Sequence, residues 1–519
     1  VLYKGLLARE AAAELRLSAT PGMPSGWAPN TTVNLKQSLV DNNAPGAGTY
    51  GQRFYYDTSF CGGACGSSAP IILEVGGEWT VTASPGGALA ELAVEMGALL
   101  VYLEHRYYGQ SLPSPLTNRT SMQAYLTVEQ AIADTAAFFP YFEALVCSTP
   151  GNASQCTGRS WTIAGGSYAG ALVSWITVKH GDLLDATWSS SGVVNAIFNF
   201  TAFDVAVATA IGPLCSDAVR AVTAAFEAAW VANNSALLTL FGTPTYYTAT
   251  DMAWMLADSA AMGPQYGYKD AMCAYLVTNA SAGTYLTGWP ALQAFANWTA
   301  THYGATFGSS CYYSTVCLSD PAYYAQWNDG TTWVWECCNQ LAYWQAAYTG
   351  SLRSSWITTD YFVNQCKSAF GPSTFANTSA FNAVYGGATP YVGTHRVFAS
   401  QGSDDPWQPA GVEAPLSSTY REITAVCDGC SHCADLHASS PSDPPPLAAQ
   451  RAAIKAQIKA WVGVPGSSPS KLSPGAAAGI GIAVAAVVLF AVAYTCYRRR
   501  AGRNAAANTD QYSKLTTGV

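Results

Sequence analysis

Charge is what this sequence has least of: Asp, Glu, Lys and Arg make up 11% of its 519 residues. Lys and Arg number 24 against 32 acids, for a net charge of −8, and no long basic run occurs before residue 498. A nucleic-acid partner for the folded part is therefore excluded. With half its residues hydrophobic, the chain also lacks the composition of a disordered protein. No internal repeat is present, which excludes solenoids and propellers. Histidine is scarce, at six residues, so any imidazole chemistry has few candidates. Long uncharged apolar runs are missing as well, apart from residues 475–497.

That segment has 23 residues without a charge, enough to cross a bilayer of about 30 Å as a helix. Arg498, Arg499, Arg500 and Arg503 follow it, whereas Lys471 alone lies close on the other side. The positive-inside bias places the tail 498–519 in the cytoplasm, as in a single-pass type I membrane protein. Fourteen of the 15 cysteines precede the segment. So do all eight N-x-[ST] sequons: Asn30, Asn118, Asn152, Asn199, Asn233, Asn279, Asn297 and Asn377. Both features predict a glycosylated, disulfide-bonded ectodomain on the luminal or extracellular side.

Short apolar runs bounded by Gly or Pro read as buried parallel strands at 71–75, 99–103, 161–164 and 396–400. Helical spacing lies between the early ones, at 88–96 and 127–139, so the fold class is α/β with a covered parallel sheet. The alternation stops near Asn195. An Ala-, Trp- and Tyr-rich stretch follows, with helices expected at 218–232 and 291–303. The organisation predicted is a core over 1–194 and 376–462, with a helical cap inserted at 195–375. A last helix begins near Asp443-Pro444, with Leu447, Ile454, Ile458 and Trp461 on one face. A Gly-, Ser- and Pro-rich stalk at 463–474 leads to the membrane.

An apolar strand ending at Ala164 runs into Gly165-Gly-Ser167-Tyr-Ala-Gly170 and then a helical pattern. This is the strand–turn–helix setting of a nucleophilic serine, where small neighbours let the two backbones approach. In an α/β-hydrolase the acid and histidine follow the serine in that order. Only His432 and His437 lie beyond the last expected strand, and Asp404 and Asp405 compete for the acid. Cys427-x-x-Cys430-x-x-Cys433 beside His432 has metal-like spacing, but in an oxidising compartment disulfides are expected and no metal or cofactor is invoked. His180, His302 and His395 have no partner cluster and read as ordinary residues.

Glu104-His-Arg-Tyr-Tyr-Gly-Gln-Ser111 resembles the E-H-R-Y-Y-G-x-S string of a serine peptidase family. That family includes lysosomal Pro-X carboxypeptidase, dipeptidyl peptidase II and the thymus-specific serine protease. Thr49-Tyr-Gly-Gln-Arg53, Tyr125-Leu-Thr-Val-Glu-Gln130, Tyr385-Gly-Gly387 and Asp405-Pro-Trp407 match in order, and the resemblance covers about Gln37 to Val462. It implies Asp405 as the acid, since the family acid precedes Pro-Trp, and His432 as the base. It also implies a helical cap favouring short peptides, and a proline pocket walled by Trp407. Departures are Gln401 for Asn, Asp404 for Leu, and Glu336 where the family has an amide. Glu336 then becomes a candidate for binding a substrate's free amine.

The chemistry expected is attack by Ser167, with His432 as base, Asp405 fixing its tautomer, and an acyl-enzyme between. The Tyr168 backbone N–H and the loop at Gly77 would bind the oxyanion. An esterase or lipase, or an inactive binding protein, are the competing readings on the same scaffold. The expected partners are peptide substrates and the bilayer, with room for a homodimer. In the tail, Tyr512-Ser-Lys-Leu515 looks like the signal that sorting adaptors read, pointing to endosomes or lysosomes rather than simple surface display.

Overall fold

A computed structural model of the chain describes residues 31–464 apart from 62–64, 67, 83–84, 148–157, 303–310 and 327–328. Asn30, Asn152, nearly all of the stalk, the segment 475–497 and the tail with Tyr512 and Leu515 lie outside the described residues. The chain divides after Ser467, and everything described belongs to the first unit.

Eight strands form one sheet: β1 (Thr31–Leu39), β2 (Thr49–Asp57), β3 (Ile71–Val75), β4 (Leu99–Leu103), β5 (Trp161–Gly166), β6 (Ala186–Ser190), β7 (Val397–Gly402) and β8 (Tyr420–Ala425). Their order is β1-β2-β4-β3-β5-β6-β7-β8. β2 runs antiparallel to both neighbours, and from β4 to β8 every pairing is parallel. This is the α/β-hydrolase arrangement.

The period of two along a strand sorts its side chains between layers. Ile71, Leu73 and Val75 of β3, with Leu99, Val101 and Leu103 of β4, enter the core that also holds Met122 of α2 (Arg119–Tyr125), α3 (Val128–Cys147) and α4 (Tyr168–His180). Ile72 and Leu100 point the other way, onto α1 (Gly87–Met96) and the C-terminal helix (Pro445–Val462) through Leu89, Leu92, Ile454 and Ile458. The expected strands match closely; β5 and β7 each run two residues further than the pattern suggested, and α3 continues through Pro140.

Between β6 and β7 the regular structure of the described residues is helical apart from a short hairpin. α5 (Thr201–Phe241) is long and apolar enough to cross a membrane by composition, yet it is broken at Gly212, where φ is 75°, and lies against the helix 288–302. α6 (Ala249–Gln265) and α7 (Lys269–Leu276) follow it. Side chains of this block, such as Phe203, Trp254 and Trp335, belong to the same apolar cluster as one face of the sheet. Disulfides Cys215–Cys273, Cys311–Cys317 and Cys338–Cys366 tie the block internally, while Cys61–Cys65 and Cys427–Cys430 close short loops of the core.

Candidate active site

β5 ends at Gly166 and α4 starts at Tyr168, so Ser167 alone makes the turn between them. Its φ of 61° and ψ of −126° are rarely held by a side-chain-bearing residue, and such strain costs about 1–3 kcal/mol. The surroundings enforce it. A Cβ on Gly165 would stand 2.5 Å from the Ala169 carbonyl oxygen, and one on Gly170 2.6 Å from that of Ser190. Ala169 is tolerated where a glycine is usual because Gly165, facing its methyl, has none.

β7 delivers Asp405, which is buried. Its Oδ2 accepts from His432 Nδ1 at 2.8 Å, and its Oδ1 accepts from the Trp407 backbone N–H at 2.9 Å. His432 is buried too, and its backbone N–H donates to the Gln265 carbonyl at the end of α6 over 3.0 Å. Burial disfavours the imidazolium, but the Asp405 carboxylate and Cys433 outweigh it and hold the ring well above its ordinary value of 6.5. His432 Nε2 is buried and has no hydrogen-bond partner among the described residues. Glu78 stands near this pair, and burial pushes its carboxyl up to about 7, with His432 and Ser167 opposing the rise.

Asp404, the unfamiliar carboxylate beside Asp405, turns outward to the helical block. It accepts from Lys269 Nζ on α7 at 3.0 Å and from the Gly429 N–H at 2.8 Å. Lys269 also reaches Asp428 at 2.8 Å.

As the first residue of α4, Tyr168 has a backbone N–H that the helix ladder leaves unused. Gly77 sits over this turn: a Cβ there would be 3.3 Å from that of Ala169 and 2.9 Å from the Trp79 ring. Trp407 packs on Phe203 and Tyr343 with ring centres 5.0 and 5.6 Å away, and its ring lies 6.5 Å from that of His432.

Glu336 lies behind Tyr168 rather than in the open. Its Oε1 accepts from the Tyr168 hydroxyl at 2.9 Å and its Oε2 from that of Tyr108. Burial pushes it up to about 8, and the same burial lowers neighbouring His105 to about 4. Their 3.8 Å approach is thus no ion pair between those pH values.

The string 104–111 is the foundation of the site. Glu104 pairs with Arg53 and accepts from Ser111 Oγ at 2.7 Å and the Val81 N–H at 3.0 Å. Arg106 grips both oxygens of Asp134 at 2.7 Å. Glu78 and Tyr343 were missed in sequence as side chains of the site. Only the turn containing Glu78, after a buried strand, signalled its place.

A family model described as serine carboxypeptidase S28 matches residues 40–454. Probable serine protease EDA2 of Arabidopsis thaliana is 28% identical over 377 residues, 71% of this chain and 73% of that one. Thymus-specific serine protease of Mus musculus is 27% identical over 478 residues, 86% of this chain and 91% of its own. Among solved structures, a mutant of the esterase rPPE aligns over 88% of this chain and 90% of that one, at 13% identity and a TM-score of 0.33.

Proposed function

The chain belongs to the serine carboxypeptidase S28 family, and from that premise we propose that this serine-type peptidase is an exopeptidase of short peptides that cuts next to proline. Ser167 is the nucleophile, His432 its base and Asp405 the residue that fixes the imidazole. The observation that carries the reading is the 2.8 Å bond from Nδ1 of His432, on the loop beyond β8, to buried Asp405 after β7, combined with the strained turn at Ser167. That bond leaves Nε2 as the nitrogen able to take a proton. Transfer of the Ser167 hydroxyl proton to Nε2 as the oxygen attacks is the first step. The acyl-enzyme then forms with the oxyanion at the Tyr168 N–H and the Gly77 turn, and water releases it.

Trp407, with Phe203 and Tyr343 beside it, supplies flat apolar faces suited to a pyrrolidine ring. The helical block over 195–375 is the cap that limits substrates to short chains. Asn118, Asn199, Asn233, Asn279, Asn297 and Asn377 are all exposed, which supports glycosylation of the ectodomain. A membrane helix at 475–497 and adaptor recognition of Tyr512 and Leu515 complete the proposal. Paired peptides differing only in proline or alanine before the cut test the specificity. The expected result is preference for proline that Trp407→Ala reduces; equal cleavage of both peptides contradicts it.

A further inference from the structure

A short helix of the helical block touches both halves of the site that would receive the oxyanion. It runs from Asp329 to Glu336, and its eight residues make it about 12 Å long. At its start, Asp329 Oδ2 accepts from the Thr80 backbone N–H at 2.8 Å and from the Thr80 hydroxyl at 2.6 Å. Thr80 follows Gly77 closely in the loop that leaves β3. At its end, Glu336 Oε1 accepts at 2.9 Å from the hydroxyl of Tyr168, whose backbone N–H is the other expected donor to the oxyanion.

Both ends are held by what surrounds them. Thr331, Thr332, Val334 and Trp335 bury the middle of the helix. Trp335 Nε1 donates to the Leu126 carbonyl at 3.1 Å, and the Trp333 ring lies 5.2 Å from that of Tyr168. On the loop, Trp79 packs its ring over Gly77 and donates from Nε1 to the Tyr102 hydroxyl of β4 at 2.6 Å. The Val81 N–H donates to Glu104 at 3.0 Å. Thr80 thus sits between two anchors from the core, and Asp329 adds one from the helical block. Glu336 divides its oxygens between two hydroxyls, Tyr168 on Oε1 and Tyr108 on Oε2. Burial pushes it up to about 8, so near pH 7 the carboxyl is neutral and its task is geometric. A hydroxyl both donates and accepts. An amide at 336 can therefore keep both bonds, whereas a hydrocarbon side chain keeps neither.

We propose that Asp329 and Glu336 are positioning residues for the oxyanion hole: acting through Thr80 and Tyr168, they let one helix set the spacing between the Gly77 turn and the Tyr168 N–H. This rests on Ser167 being the nucleophile with those donors beside it. The helical block is then part of the catalytic apparatus as well as a cover over it. Oxyanion donors act over a narrow range of distance, so a displacement of about 1 Å costs on the order of 10²-fold in rate.

The test is the rate constant for phosphonylation of Ser167 by a fluorophosphonate, followed on full-length protein across the pH range of the His432 limb. This reaction joins Ser167 Oγ to phosphorus, expels fluoride, passes the serine proton to His432 and sets the phosphoryl oxygen where the oxyanion would lie. It needs no knowledge of which peptide is cut. Loss of folded protein lowers the amplitude of labelling but leaves the rate constant of the folded fraction unchanged. Asp329→Ala and Glu336→Leu are each expected to lower the plateau rate about 10-fold or more, with the His432 limb unmoved. Asp329→Asn and Glu336→Gln preserve the hydrogen bonds and are expected to stay within about 3-fold of the wild type. If Glu336→Leu does not fold, Tyr168→Phe, which removes just the hydroxyl that Glu336 holds, is expected to show the same loss. A plateau within about 3-fold of the wild type for either end of the helix, or amide variants as slow as the apolar ones, overturns the proposal. So does a displaced limb, which would place the effect on His432. Absence of labelling at Ser167 in the wild type instead overturns the nucleophile reading, so the two failures are distinguishable.

Discussion

In the proposed triad, His432 can accept a proton from Ser167 only when neutral, so its environment would set the working pH. Burial opposes its charge, yet Asp405 and Cys433 raise it above 6.5. The expected kcat/KM profile therefore climbs with pH through a limb above 6.5. Asp405→Asn removes the charge that raises the ring, so the limb should move down while kcat falls by about 10⁴-fold. A pH profile of both proteins checks this; an unmoved limb would mean another group titrates. His437 is a control, since it follows Leu436 on the far side of the Ala434–Leu436 turn. His437→Ala should cost far less activity than His432→Ala, measured on protein of equal thermal stability. Equal losses would overturn the assignment of the base.

At the scale of elements, the helical block is fastened to the loop that carries the histidine. The end of α6 accepts the His432 N–H, and Lys269 at the start of α7 neutralises Asp404. Lys269→Met leaves a nearly buried carboxylate next to the acid turn without its cation, at a cost of roughly 1–3 kcal/mol. Activity should fall several-fold, with Asp404→Asn in the same protein restoring most of it. Failure of that rescue in a melting and activity cycle would show that Lys269 acts elsewhere. Strands β3, β4, β5 and β7 were legible because each is an unbroken apolar run. β6 (Ala-Thr-Trp-Ser-Ser) and β8 (Tyr-Arg-Glu-Ile-Thr-Ala) were not, since polar side chains break up the apolar run, several of them satisfied by partners distant in sequence. Ser190 Oγ, for example, donates to Asp435. The serine turn was legible for the opposite reason, that its glycines are required locally. The positions of Glu78 and Glu336 were not, because each depends on segments brought together across the chain.

For the whole molecule, low charge and many cysteines belong to one strategy: a large apolar core stapled by disulfides. Cys215–Cys273 closes a loop over a separation of 58 residues, which by loop entropy is worth about 4 kcal/mol. The Cys215→Ala, Cys273→Ala double variant should melt at lower temperature while keeping the Asp405–His432 pair and measurable activity. An unchanged melting temperature would mean the disulfide is absent in solution. In the tail, Tyr512→Ala should shift the protein from internal membranes to the cell surface, and an unaltered distribution would leave the motif without a role. The central claim is that Ser167 is an activated nucleophile. Full-length protein treated with a fluorophosphonate and mapped by mass spectrometry tests it most directly. The account predicts a single phosphonylated peptide containing Ser167, with labelling abolished by Ser167→Ala and strongly slowed by His432→Ala. No label at Ser167 in folded protein, or labelling that persists in Ser167→Ala, would contradict it.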